Sequence, residues 1–270
     1  MSRIAARFGD LNRDGHKGFI PFITGGDPDL DTSLAIMLKL ADLGADVIEL
    51  GVPFSDPMAD GPTIQRSSQR ALAKGVSLKD VIKIASEFRN RSGVPVVLFS
   101  YLNPVFRFGV DEFAAAAEQA GIDGLLLTDA IEDEAAIISK RLAKSNIDLI
   151  SLAAPTTSEE RLRSICENAR GFIYAVSRAG VTGAQASVST TAKGLVERVR
   201  KYTELPVAVG FGISTASQVS DVWEYADAAV VGSAIVAEIE RSKDAGDAVG
   251  NVEVFVRGLL PEVAKTAPEN

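Results

Sequence analysis

Eight short apolar runs alternate with amphipathic helical patterns along this chain, and that alternation constrains its fold more than any other feature. The runs are Phe19–Thr24, Val47–Gly51, Val94–Ser100, Gly124–Thr128, Asp148–Leu152, Phe172–Ala175, Pro206–Gly210 and Ala228–Val231. Each is too short for a helix, and Gly, Pro or Asp flanks most of them. Several are apolar at consecutive positions (VPVVLF, GLLLT, ADAAVV), as expected of parallel strands covered on both faces. Between them, Leu34/Met37/Leu38/Ala41, Val81/Ile84/Ala85/Phe88, Leu195/Val196/Val199 and Val219/Val222/Trp223 mark helix faces with i, i+3, i+4 spacing or a fragment of it. Such stripes read as core, Trp223 included. Eight strands alternating with helices in 270 residues predict one (β/α)8 barrel over residues 1–270, with a doubly wound open sheet as the rival. Ile4, Phe8 and Leu11 predict an extra N-terminal helix plugging the barrel from below. The connections after strands two and six are the extended ones.

Composition narrows the chemistry. One Cys, Cys166, cannot make an internal disulfide, and it sits on a helical apolar stripe with Leu162, Ile165 and Ala169. With a single His as well, a zinc site lacks its usual ligands, and a His-based triad could use only His16, in a polar stretch near the start. Proton chemistry must then come from carboxylates, Tyr, Lys or a bound cofactor. The net charge of −8 argues against a nucleic-acid partner. No run approaches the roughly 20 apolar residues of a membrane span, and the start carries no apolar leader, so a cytoplasmic protein is expected.

The longest gap between strands holds the richest motif, Ile48-Glu49-Leu50-Gly51-Val52-Pro53-Phe54-Ser55-Asp56-Pro57-Met58-Ala59-Asp60-Gly61-Pro62. Glu49 interrupts an apolar run near its C-terminal end and points either into the barrel mouth or into the helix layer. A carboxylate there is costly unless it is paired or kept protonated, and catalytic carboxylates are tuned by the same burial; a loop-holding structural carboxylate is the plain alternative. Asp56 and Asp60 follow in a loop stiffened by Pro53, Pro57 and Pro62. Three carboxylates could suggest magnesium, but the prolines suggest a loop held in one shape, and no metal site is expected. For Asp56 a turn or interface role is the better reading. Gly61-Pro62-Thr63 reads as a turn into the next helix.

Three glycine clusters follow strands six, seven and eight: Ser177–Ala184, Gly210-Phe211-Gly212-Ile213-Ser214 and Gly232-Ser233-Ala234. Each alone is weak, because Gly also ends strands. At successive strand ends they predict a phosphate site made of backbone N–H groups and helix starts. Neither GxxxxGK[ST] nor GxGxxG is present, so nucleotide and dinucleotide chemistry have no support.

At this point the chain resembles the α subunit of tryptophan synthase. The run IELGVPFSDPMADG carries most of the likeness. It is joined, in the family's order, by Phe22–Pro28, Tyr101-Leu102-Asn103-Pro104, Ser177–Gly183, Gly210–Ser214 and Gly232–Val236. The resemblance implies a (β/α)8 barrel that cleaves indole-3-glycerol phosphate to indole and glyceraldehyde 3-phosphate. It implies Glu49 as catalytic acid/base, Asp60 as the carboxylate engaging the indole N–H, and Tyr174 as a helper. It implies phosphate donors at Gly183, Gly212, Gly232 and Ser233, an indole pocket flanked by Phe22 and Phe211, and a mobile lid holding Thr182. Asp56 would face a partner β subunit in an α2β2 assembly, and pyridoxal phosphate would belong to that partner, none to this chain. One stretch departs from the family: Thr128-Asp129-Ala130-Ile131-Glu132-Asp133-Glu134 keeps the acidic residues but lacks the usual Asp-x-Pro. Competing expectations are a stand-alone lyase releasing free indole, another phosphosugar barrel such as an isomerase, and a non-catalytic barrel that only activates a partner.

Overall fold

The computed structural model describes residues 2–130, 132–142, 144–176, 186–210, 212–242 and 245–260. Eight parallel strands close into a barrel in sequence order, with β8 pairing back onto β1. They are β1 (Gly18–Thr24), β2 (Ile48–Gly51), β3 (Val96–Ser100), β4 (Gly124–Leu127), β5 (Asp148–Ala153), β6 (Ile173–Val176), β7 (Val207–Gly210) and β8 (Ala228–Val231). The open-sheet rival is excluded by that closure. Four strands begin later than their apolar runs, and in two of these, β3 and β7, the run starts at or near a proline. Pro95 and Pro206 have no N–H to give to a ladder, yet their carbonyls accept from Ile48 N and Ile173 N at 2.9 and 2.8 Å.

Helix α1 (Arg3–Asp14) lies under the barrel. The outer ring consists of α2 (Leu30–Asp42), α4 (Leu78–Arg89), α6 (Val110–Gln119), α7 (Glu132–Leu142), α8 (Glu159–Asn168), α9 (Ala186–Val199), α10 (Ala216–Trp223) and α12 (Ala245–Leu259). Three further helices are inserted after strands: α3 (Pro62–Ala73) after β2, α5 (Leu102–Phe108) after β3 and α11 (Ser233–Glu240) after β8. Helices α3 and α11 pack on each other and on β1. The connection after β2 is extended as expected; the segment after β6 lies outside the described residues. No described helix is long and apolar enough to cross a membrane.

Side chains alternate along each strand and sort into two apolar clusters. One lies between sheet and helices and takes in Ile48, Leu50, Val81, Phe88, Leu195 and Val219. The other fills the barrel with Ile20, Phe22, Val47, Val97, Phe99, Leu126, Ile150, Phe172 and Val230, plugged from below by Ile4, Phe8 and Leu11 of α1. Cys166 packs in the outer cluster, where burial pushes its thiol up to about 11. Trp223 is half-buried, its indole N–H donating to Gly18 O at 2.9 Å.

Aspartates at the strand starts brace the lower end of the barrel, and three of them hold the plug. Asp46 accepts from Arg7 and from Phe19 N, Asp123 from Arg3, Arg89 and Val96 N, Asp148 from Ser2, and Asp227 from Val207 N while pairing with Lys17 and Arg200. Asp123 is almost fully buried and Arg89 is mostly so. Removing one member of such a pair strands the other charge, so Asp123→Ala is expected to lower the free energy of unfolding by about 3 kcal/mol in urea titrations. A loss below about 0.5 kcal/mol would make this pair a surface contact in energetic terms.

Candidate active site

Parity along β2 settles where Glu49 points. Val47 fills the barrel interior and Ile48 and Leu50 face the helices, so Glu49 projects inward, level with Phe22 of β1 and Val97 of β3. Its residue surface is 1% accessible, and Oε1 makes no hydrogen bond among the described residues. An ionised carboxylate there would lose its water without compensation, and burial accordingly pushes the group up to about 8. At neutral pH Glu49 is therefore a buried carboxylic acid with a proton to give.

Tyr174, at the matching depth of β6, is also buried, and its phenol is raised well above the ordinary value by burial and by the nearby charges of Glu49 and Asp60. The three groups thus share one electrostatic neighbourhood. Gly210 of β7 makes room for the phenol: a methyl on its Cα would lie 2.0 Å from Tyr174 Oη.

Asp60 enters from the loop after β2, just before Gly61 caps α3 with Pro62 at its first position. Gln65 of α3 donates to Asp60 O at 2.9 Å, which ties the loop backbone to the helix. Burial raises the Asp60 carboxyl to about 6, opposed by a hydrogen bond from Tyr101. Tyr101 follows the last residue of β3; its ring stacks on Phe54 at 4.8 Å and its oxygen accepts from Ala59 N at 2.9 Å. One phenol thus grips the loop at both Ala59 and Asp60. The sequence reading assigned no role to Tyr101; its position just past a strand's C-terminal end was the available signal. Tyr101→Phe should therefore raise the Asp60 carboxyl, moving the acidic limb of a pH–rate profile upward by about half a unit to one unit. An unmoved limb would show that this bond does not tune Asp60.

Asp60, Gly61, Phe99, Val176 and Gly212 line a cavity of about 770 Å³ at the C-terminal mouth, which runs on toward Thr157, Ser158 and Arg161 near the start of α8. A recess of about 10 Å³ adjoins it, bounded by Phe22, Thr24, Gly51, Ile64, Ser68 and Tyr101, with Asp60 and Phe99 on both walls. Glu49 and Tyr174 lie deeper in the barrel. Phe22 packs edge-on to Phe99 with centroids 5.2 Å apart, and a methyl at Gly51 would fall 2.6 Å from its ring. A second cavity, of about 530 Å³, opens at the opposite face beside α1 and His16 and contains none of these groups.

Gly232 is the N-cap of α11, with Ser233 exposed at the first helical position. The first N–H groups of a helix lack intrahelical partners and carry a partial positive charge, which suits an anion. Gly212 adopts a left-handed φ of +78° at the cavity wall, where a side chain would be strained. The structure thus brings Glu49, Asp60, Tyr174, Phe22, Gly212, Gly232 and Ser233 to one end of the barrel. Thr182, Gly183 and Phe211 lie outside the described residues. Asp56 stands apart on the exposed loop beside Met58, which is 91% accessible. Among the described residues no group of three or more His, Cys, Asp or Glu is placed to hold a metal ion. The departing stretch keeps a structural role, since Asp129 accepts from Leu102 N at 2.7 Å.

Comparison with known proteins gives a consistent result. The tryptophan synthase alpha chain family model matches residues 8–263. The tryptophan synthase alpha chain of Dechloromonas aromatica is 51% identical over 261 residues, covering 96% of this chain and 97% of that one. The alpha chain of Citrifermentans bemidjiense is 48% identical over 98% of this chain and 99% of its own. Among solved structures, the alpha subunit from Legionella pneumophila superposes with a TM-score of 0.88 at 37% identity, covering 96% and 97% of the two chains. Tryptophan synthase from M. tuberculosis in its aminoacrylate-bound form matches with a TM-score of 0.86 at 34% identity, covering 96% and 98%.

Proposed function

The chain belongs to the tryptophan synthase alpha chain family, a lyase that cleaves indole-3-glycerol phosphate, and we propose that Glu49, Asp60 and Tyr174 carry that reaction here. The observation that supports this most is the inward-facing Glu49 carboxyl, buried and with an unengaged oxygen.

Breaking the bond between the ring and the glycerol chain requires indole C3 to accept a proton, so that the ring can take back the electron pair. Neutral Glu49 donates that proton and becomes a carboxylate. The cation spreads to the ring nitrogen, where ionised Asp60 stabilises it. The same Glu49 carboxylate then takes the proton of the glycerol 3′-hydroxyl as the carbon–carbon bond breaks and the aldehyde forms. Glu49 ends protonated, as it began, and no electrons leave the pair of products. Tyr174 holds the proton-bearing groups in place. Phe22 and Phe211 flank the ring.

Phosphate held at Gly183, Gly212, Gly232 and Ser233 uses remote binding energy to align the reacting end. The family likeness assigns Thr182 to a lid, whose part would be to exclude water. The Asp56 loop faces the β subunit, which carries pyridoxal phosphate and receives the indole in an α2β2 complex in the cytoplasm.

Indole release from indole-3-glycerol phosphate tests the activity, measured for this chain alone and with a β subunit. Stimulation by the β subunit supports the coupled reading; equal full activity alone supports a stand-alone lyase. For the phosphate end, Gly212→Asp introduces a side chain at a left-handed position and a negative charge beside a dianion. It is expected to weaken binding of glycerol 3-phosphate by at least tenfold in calorimetry, whereas unchanged affinity would remove that turn from the site.

A further inference from the structure

Asp60 lies in the loop two residues before helix α3, and α11 presents Gly232 and Ser233 at its start. The two helices are inserted after different strands, yet they pack on each other across β1. What joins them is a chain of charged groups that do not line the cavity. Arg70 of α3 forks onto Asp27, with Nε to Oδ1 at 2.8 Å and Nη2 to Oδ2 at 2.7 Å. Its remaining nitrogen, Nη1, donates to Glu240 Oε1 at 2.7 Å, at the C-terminal end of α11. Arg66, one turn earlier on α3, makes a second fork onto both Glu240 oxygens at 2.7 Å. Asp27 is completely buried in the turn after β1. Deeper in, Ser67 Oγ and Thr24 Oγ1 are 2.6 Å apart, and Ser67 donates to Ile64 O.

Stability does not require this arrangement. A buried ion pair roughly breaks even against apolar packing of the same volume, because desolvating both charges offsets their attraction. A fork on Asp27 and a third bond on Glu240 do fix direction and distance, which apolar contacts do not. Their position also has a route to the chemistry: α3 reaches Asp60 through the Gln65 bond to Asp60 O, and Ile64 and Ser68 wall the recess beside Asp60. Moving α3 against α11 therefore moves Asp60 against the phosphate-binding helix start.

We propose that Arg70 is a positioning residue that, through Asp27 and Glu240, sets the distance between the ring-binding and phosphate-binding ends of the active site. This rests on the assignment of those two ends given above. A substrate that spans both ends is sensitive to their spacing; fragments that fill one end are not.

The test compares Arg70→Met and Arg70→Lys with the unaltered chain. Affinities are measured for glycerol 3-phosphate, for indole, and for an indole linked to phosphate by three unsubstituted carbons, together with kcat and KM for indole release. For Arg70→Met, both fragments are expected to bind within twofold of the unaltered chain, while the spanning ligand binds at least tenfold more weakly and kcat falls at least tenfold. Arg70→Lys should recover part of both losses, since one ammonium cannot fork Asp27 and reach Glu240 together. Spanning affinity and kcat within threefold of normal would overturn the proposal, as would fragment affinities that fall along with the spanning one. If Arg70→Met does not fold, Glu240→Gln decides. It leaves the Asp27 fork intact and should produce the same pattern at smaller size; an unchanged spanning affinity there overturns the proposal. Failure of the unaltered chain to release indole would count against the assignment of the active site, while the binding comparison would still judge Arg70.

Discussion

Replacing Glu49 by Gln is expected to lower kcat for indole release by about 10³-fold or more, with little loss of affinity for glycerol 3-phosphate. The amide has nearly the shape of the acid but neither gives up nor takes a proton at any working pH. The phosphate end is built by other strands and is left alone. Full activity in Glu49→Gln would end the acid/base assignment. The same variant has a stability signature whose sign follows from the raised pKa of Glu49. Unfolded, the Glu49 carboxyl titrates near 4.5; folded, it titrates near 8. Between these values the native state binds more protons than the unfolded state, so stability is lost as pH rises through that window, by up to about 5 kcal/mol. Gln carries no such penalty. The variant should therefore match the parent in Tm near pH 4.5, exceed it increasingly toward pH 8, and keep a level advantage above that. A difference in Tm that does not change with pH would mean that Glu49 is not held protonated by burial.

Asp60→Asn is expected to reduce kcat by about 10²–10³-fold, again sparing glycerol 3-phosphate affinity. The amide can still meet an indole N–H through its oxygen, so ground-state contact survives. What it loses is the full negative charge facing the ring cation, an interaction made only as the transition state forms. The two carboxyls also fix the expected pH dependence of kcat/KM. Activity needs Asp60 ionised, above about 6, and Glu49 protonated, below about 8, so the profile should be bell-shaped with limbs near those values. In Asp60→Asn the acidic limb contributed by this carboxyl should vanish while the alkaline limb stays. Retention of both limbs in that variant would assign the acidic one to another group.

The barrel was legible because parallel strands covered on both faces leave uninterrupted apolar runs, and each of the eight runs became a strand. The plug helix was legible from Ile4, Phe8 and Leu11, since all three lie on one helical face and all three are buried. Glu49 stood out as a charge inside such a run, but its direction was open until the neighbours Ile48 and Leu50 were seen facing the helices. Tyr101 was hidden because its value depends on Phe54 and Asp60, some 40 residues earlier in the chain. The Arg70 cluster was less visible still: its partners, Asp27 and Glu240, are separated by most of the barrel, and an Arg on a helix in isolation reads as a solvated side chain. The inserted helices α5 and α11 were also missed, since a strand–helix alternation calls for one helix per connection and each of these shares its connection with a second helix.

The plug helix also has a place in time. Its seat is made by Asp46, Asp123 and Asp148, at the starts of three strands, and Ser2 and Arg3 reach partners 146 and 120 residues away. During synthesis α1 leaves the ribosome before the strands it plugs; its last anchoring carboxylate, Asp148, arrives with β5, and the barrel it seals is complete only with β8, which closes onto β1. A segment made before every strand is thus seated after them. Contacts so distant in sequence slow the final assembly step, and a chain stopped short of β8 would leave Ile4, Phe8 and Leu11 exposed to whatever apolar surface a neighbouring chain offers.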